Sequence, residues 1–197
     1  MYQTAFNTPD IIKESSRGFQ TFRIIDQMLA DREIACVGAI DAEMTDSLCL
    51  QLRYLQKVGP DEQVTIFINS PGGEVQSGLA IYDTMKAISC PIRTVCLGMA
   101  ASMGALLFVA SNQRDMLPHS RVMVHDPLVA GGIGGSALEV KTASDNLMRT
   151  REITAQILAE HTGKSLEEIF EVTSKDSYFE APAAVEFGLA DRIVESL

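Results

Sequence analysis

Residues 64–85 run VTIFINSPGGEVQSGLAIYDTM. Val64 to Ile68 is a β-branched and aromatic run without solvent-facing alternation, which predicts a strand covered on both faces. Ser70-Pro71-Gly72-Gly73 predicts a turn, and Val75, Leu79, Tyr82 and Met85 then recur at helical spacing. Downstream the pattern repeats. Ile92 to Leu97 predicts a second buried strand, Ser102 to Ala110 a buried helix, and Val122 to His125 a further strand. Upstream, Glu33 to Val37 predicts a short strand closed by Gly38. Asp41 is placed to cap a helix whose apolar face uses Met44, Leu48, Leu52 and Leu55 and which stops at Gly59-Pro60. Phe22, Ile25, Met28 and Leu29 predict a helix from Gln20 to Asp31. Strand and helix thus alternate through the first two-thirds, which defines an α/β class with a mostly parallel sheet and helices on both faces.

The remainder is more helical. After Gly131, Gly132, Gly134 and Gly135, a long helix is expected from Leu138 to His161 with Gly163 as its stop. Ser165 with Glu168 forms a capping box, Pro182 and Gly188 bracket another helix, and Arg192 to Val194 predicts a last strand. At 197 residues, 46% hydrophobic and 21% charged, the chain is long enough for one domain with its own core.

Sixteen Lys plus Arg against 26 Asp plus Glu give a formal net charge of −10. An acidic surface disfavours nucleic acid and anionic membranes as partners. Cys36, Cys49, Cys90 and Cys96 form no CxxC pair, and the three histidines (His119, His125, His161) are scattered, so neither a zinc site nor a disulfide framework is indicated. Buried thiols in a reducing compartment are expected. No basic segment followed by an apolar run opens the chain, so the expected location is cytoplasmic. Residues 94–113 carry no charge, but the apolar part from Val95 to Ala110 is shorter than a bilayer requires and is broken by Gly98, Ser102 and Gly104. A buried strand followed by a buried helix is expected there.

Three places carry candidate chemistry. In Gly98-Met99-Ala100-Ala101-Ser102-Met103-Gly104-Ala105 a serine stands where a strand turns into a helix, either as a helix cap or as a nucleophile beside a favourable dipole. Ser70-Pro71-Gly72-Gly73-Glu74 frees backbone N–H groups for an oxyanion or a phosphate, although no Lys-Ser/Thr pair follows and Glu74 repels anions. Gly132-Ile133-Gly134 matches a dinucleotide fingerprint only weakly. His125 stands at the end of an apolar strand, where it is either structural or catalytic. Among 26 acidic residues, physics alone singles out no third partner.

The segments Phe67–Gly73, Ile81–Met85, Gly98–Ala105, Met123–Leu128, Glu160–Gly163 and Ala184–Asp191, in this order, resemble the proteolytic subunit of the Clp protease. The resemblance runs from Arg17 to the C-terminus. It implies a single domain with a crotonase-like fold and a projecting handle made by the long helix, with residues 1–22 as an axial segment and 23–197 as the peptidase. It implies Ser102 as nucleophile, His125 as general base and Asp176 as orienting acid, an order distinct from the Ser…Asp…His of α/β-hydrolases. The oxyanion hole would be the N–H groups of Gly73 and Met103, and Gly72, Val75 and Leu128 would bind the substrate strand. The family needs no cofactor or metal of its own. It self-assembles into two stacked heptameric rings, a tetradecamer, and a hexameric ATPase spends ATP to thread unfolded polypeptides inside.

Several positions depart from the family pattern. The usual axial Arg-Gly-Glu-Arg is replaced by Arg17-Gly18-Phe19-Gln20. Thr65 replaces a tyrosine associated with ATPase docking, and Val129-Ala130 looks like an insert. Ser174 and Lys175 replace the acidic residue and arginine that make ring–ring contacts, which points to a divergent member working with a second subunit. Asp126 stands where a glutamine is commoner. A carboxylate near the imidazole would favour its protonated form, whereas neighbours on a strand point to opposite faces. Two other readings remain: a structural or regulatory subunit of a mixed assembly, and a crotonase-type acyl-CoA enzyme.

Overall fold

Parallel strands need a crossover connection, and this chain supplies them as helices. The computed structural model describes residues 9–16, 18–129 and 131–197. Residues 1–8 of the axial segment, its Arg17, and Ala130 of the expected insert lie outside the described residues. Strands β3 (Glu33–Val37), β4 (Val64–Ser70) and β5 (Ile92–Ala101) pair in parallel, with helices α2 (Ala42–Val58) and α3 (Val75–Ala87) as the crossovers between them. The sheet, seven-stranded among the described residues, continues through β6 (Gln113–Met116) to β9 (Arg192–Ile193), all in parallel. A branch leaves β5: β7 (Arg121–Val124) runs parallel to it, and β8 (Ser177–Glu180) adds antiparallel to β7.

The helices bury the faces their sequences specify. Asp41 caps α2 by accepting from the Met44 N–H at 2.9 Å, and Met44, Leu48, Leu52 and Leu55 are all buried. Every residue of α4 (Met103–Val109) is buried, because it packs between the sheet and α3. The uncharged stretch is therefore the end of a strand and a core helix, and no helix of the described residues is long and apolar enough to cross a membrane. Helix α5 (Ala137–Thr162) begins one residue earlier than expected, at a capping box formed by Ser136 and Glu139, and ends at Gly163 in the left-handed region with φ of 73°. Its first half is largely exposed, whereas Thr154, Ala155, Ile157 and Leu158 are buried near its end. Helices α6 (Leu166–Thr173) and α7 (Ala181–Phe187) follow, α6 behind the expected Ser165–Glu168 capping box.

The N-terminal expectation needs correction. The helix foreseen from Gln20 is a strand over its first residues: β1 (Asp10–Ser15) and β2 (Gly18–Arg23) form an antiparallel hairpin, and helix α1 spans only Ile24–Ala30. Phe19, Thr21 and Phe22 are strand formers, and six cross-strand pairs outweigh the helical spacing that Phe22 shares with Ile25 and Leu29. β6 and β8 were not foreseen. The cysteines are free thiols; burial pushes Cys36 up to about 12 and Cys96 up to about 11.

Among the described residues one charged group, Asp115, lies wholly inside. Asp115 on β6 accepts from Arg93 Nε of β5 and Arg192 Nε of β9, both at 2.7 Å, and from Gln113 Nε2 at 2.9 Å. Burial raises its pKa, but the bonds from Arg192, Arg93 and Gln113 outweigh that and hold it below the ordinary carboxylate value. A carboxyl whose folded pKa is depressed contributes stability above its unfolded pKa, and that contribution disappears as pH falls through the folded value. Asp115→Asn should therefore cost about 1.5–3 kcal/mol at pH 7 and flatten the fall in stability below about pH 4. Urea titrations across that range check both expectations.

Candidate active site

β5 has two neighbours in succession on one side. Arg93–Cys96 pair with β6, and Met99–Ala101 pair with Arg121–Met123 of β7. The strand therefore ends beside β7, and Ser102 N–H donates to Met123 C=O at 2.9 Å. Here the backbone turns sharply into α4, with Ser102 at φ 54° and ψ −120°. Such a conformation costs a non-glycine residue on the order of 1–3 kcal/mol and is typical of functional turns. Ser102 occupies the N-cap position, yet its side chain makes no capping bond. Its Oγ lies instead 2.9 Å from His125 Nε2. Of the two readings the sequence left open, the helix cap is therefore not the one this hydroxyl performs.

His125 follows β7 directly. The antiparallel register pairs Val124 with Ser177, so the next residues outward on the two strands are His125 and Asp176. Asp176 Oδ1 lies 3.5 Å from His125 Nδ1, longer than a normal N–H···O bond, with the carboxylate side chain 63% exposed and the imidazole 16%. The three side chains that the family resemblance nominated are thus brought together in one line. Asp126 does not approach as a partner of the imidazole. Its Oδ2 accepts from Arg151 Nε at 2.6 Å and its Oδ1 from Thr173 Oγ1 at 2.7 Å.

The glycine turn lies against the serine. Ile40 N–H donates to Gly72 C=O and Glu74 N–H to Ile40 C=O, so the N–H of Gly73 points away from Ile40, toward the β5 side of β4. Gly72 has φ of 92°, and a Cβ there would stand 2.7 Å from both Ala101 O and Ser102 Cβ; one on Gly73 would stand 2.0 Å from Ile40 O. Glu74, expected to repel anions, stays beside this turn and accepts from Ser77 Oγ. A cleft opens next to the pair, lined by Val75, Met103, Leu106, Val124, Pro127, Thr154 and Leu158 together with Ser102 and His125. Val75, expected to bind the substrate strand, is one of its lining residues. Leu128 is 65% exposed and is not among the lining residues. Thr154 and Leu158, on successive turns of α5, were missed as site residues; their helical spacing was visible but equally fitted packing.

Ser174 and Lys175 are exposed, with Ser174 Oγ donating to Glu171 C=O at 2.7 Å. Among the described residues no strand lies between Val124, where β7 ends, and Gly132, so the dinucleotide fingerprint lacks its structural context there. Among the described residues no group of three His, Cys, Asp or Glu side chains is placed to hold a metal ion.

A hydroxyl bonded to an imidazole, with a carboxylate on the far ring nitrogen and backbone N–H groups nearby, has the makings of acyl-transfer chemistry. The fold is an α/β domain with this site at the carboxyl ends of its parallel strands. The family model of the Clp protease matches residues 16–197. The chain belongs to the Clp protease family and is by that membership a protease subunit.

The packing of the glycine turn makes a direct prediction. Gly72→Ala and Gly73→Ala should each destabilise the protein by about 1–3 kcal/mol. Gly134→Ala, where an added Cβ meets nothing within 4 Å, should stay within about 0.5 kcal/mol of wild type. Thermal denaturation of the three variants checks the contrast.

Proposed function

We propose that this chain is the catalytic subunit of a self-compartmentalising serine endopeptidase, with Ser102 as nucleophile, His125 as general base and Asp176 as orienting acid. The observation that carries the reading is the 2.9 Å contact between Ser102 Oγ and His125 Nε2, made where the hydroxyl is released from capping. In this mechanism His125 Nε2 takes the Ser102 proton while Oγ attacks the scissile carbonyl. The oxyanion receives the N–H groups of Gly73 and Met103, and Gly72 keeps that turn pressed against the serine. The tetrahedral intermediate collapses as the imidazolium gives its proton to the leaving amine. Water then deacylates the serine ester by the same route, leaving Ser102 and His125 as they began. Asp176 fixes the ring tautomer throughout. No cofactor enters these steps.

Residues 23–197 act as the peptidase domain and the preceding residues as an axial segment. The largely exposed first half of α5 is available as the handle between two heptameric rings. A partner hexameric ATPase delivers unfolded polypeptide to the chamber, in the cytoplasm. Ser102→Ala should abolish hydrolysis of a fluorogenic peptide, a loss of about 10⁴-fold or more, with fold retained. A fluorophosphonate probe should label Ser102 in the wild type. An unlabelled protein that instead binds coenzyme A would favour a crotonase-type enzyme and overturn the peptidase.

A second reading concerns assembly. Among the described residues Lys175 has no salt-bridge partner and the Ser174 hydroxyl is engaged locally. Neither residue supplies the planar, bidentate pairing of an arginine with a carboxylate. The ring–ring contact is proposed to be weak in a homomer and to strengthen with a second, related subunit. Analytical ultracentrifugation of the purified chain at micromolar concentration should show incomplete tetradecamer. A fully active homotetradecamer, unaffected by a related co-expressed subunit, would dismiss the mixed assembly.

A further inference from the structure

The Ser102–His125 contact is short, whereas the His125–Asp176 contact is 3.5 Å and leaves the carboxylate mostly exposed. Something other than burial must hold Asp176 in line. On one side of the pair the β7–β8 ladder fixes Val124 opposite Ser177. On the other side stands a clasp between Asp126 and Thr173. Asp126 N–H donates to Thr173 C=O at 2.7 Å, and Asp126 Oδ1 accepts from Thr173 Oγ1 at 2.7 Å. The base is the residue just before Asp126, and the acid lies three residues beyond Thr173. The loop 174–176 is therefore pinned at both ends, with the imidazole and the carboxylate between the pins.

Arg151 on α5 completes the clasp. Its Nε donates to Asp126 Oδ2 at 2.6 Å, and its guanidinium lies 4.1 Å from the ring centroid of Phe170 on α6. This pairing neutralises the carboxylate next to the catalytic base, so Asp126 does not compete with Asp176 for the imidazole. It also ties both pinned segments to α5, the helix that contributes Thr154 and Leu158 to the cleft.

We propose that Asp126, clasped by Thr173 and Arg151, is a positioning residue that sets the distance between His125 and Asp176. The inference rests on the triad reading above and adds to it a component that touches no reacting atom. An orienting group displaced by an ångström costs on the order of 10²-fold. Asp126→Ala should therefore lower kcat on a fluorogenic peptide by about 10–10²-fold, with KM within about twofold, because the cleft lining is untouched.

A merely structural role would lower activity on any background. A positioning role exerted through Asp176 disappears once Asp176 is gone, so Asp126→Ala/Asp176→Ala should be no slower than Asp176→Ala alone. An additive loss, a loss confined to KM, or an unchanged kcat overturns the proposal. Should Asp126→Ala fail to fold, the near-isosteric Thr173→Val takes its place in the same cycle. It is expected to show a smaller kcat loss that again vanishes without Asp176, and additivity there overturns the proposal equally. Ser102→Ala and Asp176→Ala measured alongside separate the two levels. Full activity in Ser102→Ala removes the triad reading itself. An inactive Ser102→Ala with additive Asp126 and Asp176 effects removes only the clasp.

Discussion

Everything at the site depends on β5 having two partners in succession along one edge. Its first half is hydrogen-bonded to β6 and its last three residues to β7. Between these halves the ladder with β4 slips, from Ile68↔Cys96 to Ser70↔Ala100. Asn69 seals the irregularity by accepting from Met99 N–H at 3.2 Å, and a Cβ on Gly98 would lie 2.8 Å from its Oδ1. The extra residues carry the strand past the end of β6 and deliver Ser102 beside β7, where Met123 C=O receives its N–H. A β5 that ended with β6 would leave the serine a full strand short of the histidine.

That arrangement explains what was legible in the sequence. β3, β4, α2 and α3 announce themselves through short apolar runs and apolar helix stripes, but the two-sided burial expected of β4 is not found. Val64, Ile66 and Ile68 are buried while Thr65 and Phe67 are half-buried, and on β3 only Ile34 and Cys36 are buried. The Asp41 cap and the Ser165–Glu168 capping box are local and were equally readable, whereas the Ser136–Glu139 box was not read and starts α5 one residue earlier than expected. β6 was hidden because Gln113, Arg114 and Asp115 look like loop. Its polarity is satisfied by distant partners, Arg93 of β5 and Arg192 of β9 for Asp115 and Asp191 for Arg114, which no local pattern can announce. The hairpin of β1 and β2 was misread for a related reason: its strands are almost wholly exposed, so pairing rather than a buried face selects their conformation.

The site was legible to different depths. Ser102 and His125 could be placed at strand ends from periodicity, but whether the hydroxyl capped its helix or met a base depended on a backbone angle. At φ 54° the helix start is offered without its cap, and the hydroxyl is free for the imidazole. Asp176 was beyond pattern reasoning and came only through family resemblance. It reaches His125 because a four-residue antiparallel strand, unforeseen and half-exposed, happens to be registered with β7. Asp126 showed the opposite case. Its proximity to His125 in sequence was plain, but its partners come from two helices 25 and 47 residues away.

These depths follow the strength of the forces involved. Ser102 sits between a buried strand and a buried helix, so hydrophobic burial fixes it and moving it would disturb the core. His125 leaves a strand whose Val122 and Val124 are buried, and it inherits much of that rigidity. Asp176 has no buried neighbour in its own loop, from Ser174 to Asp176, and is held by main-chain pairing on one side and a polar clasp on the other. Exposed polar contacts are individually worth little, so the acid is the member of the line most easily displaced. A serine, histidine and aspartate in a row are therefore not equivalent in cost to the fold. The first two are secured by the core that makes the domain, and the third by a few directional bonds that a single substitution in α6 or in the loop after β7 can undo.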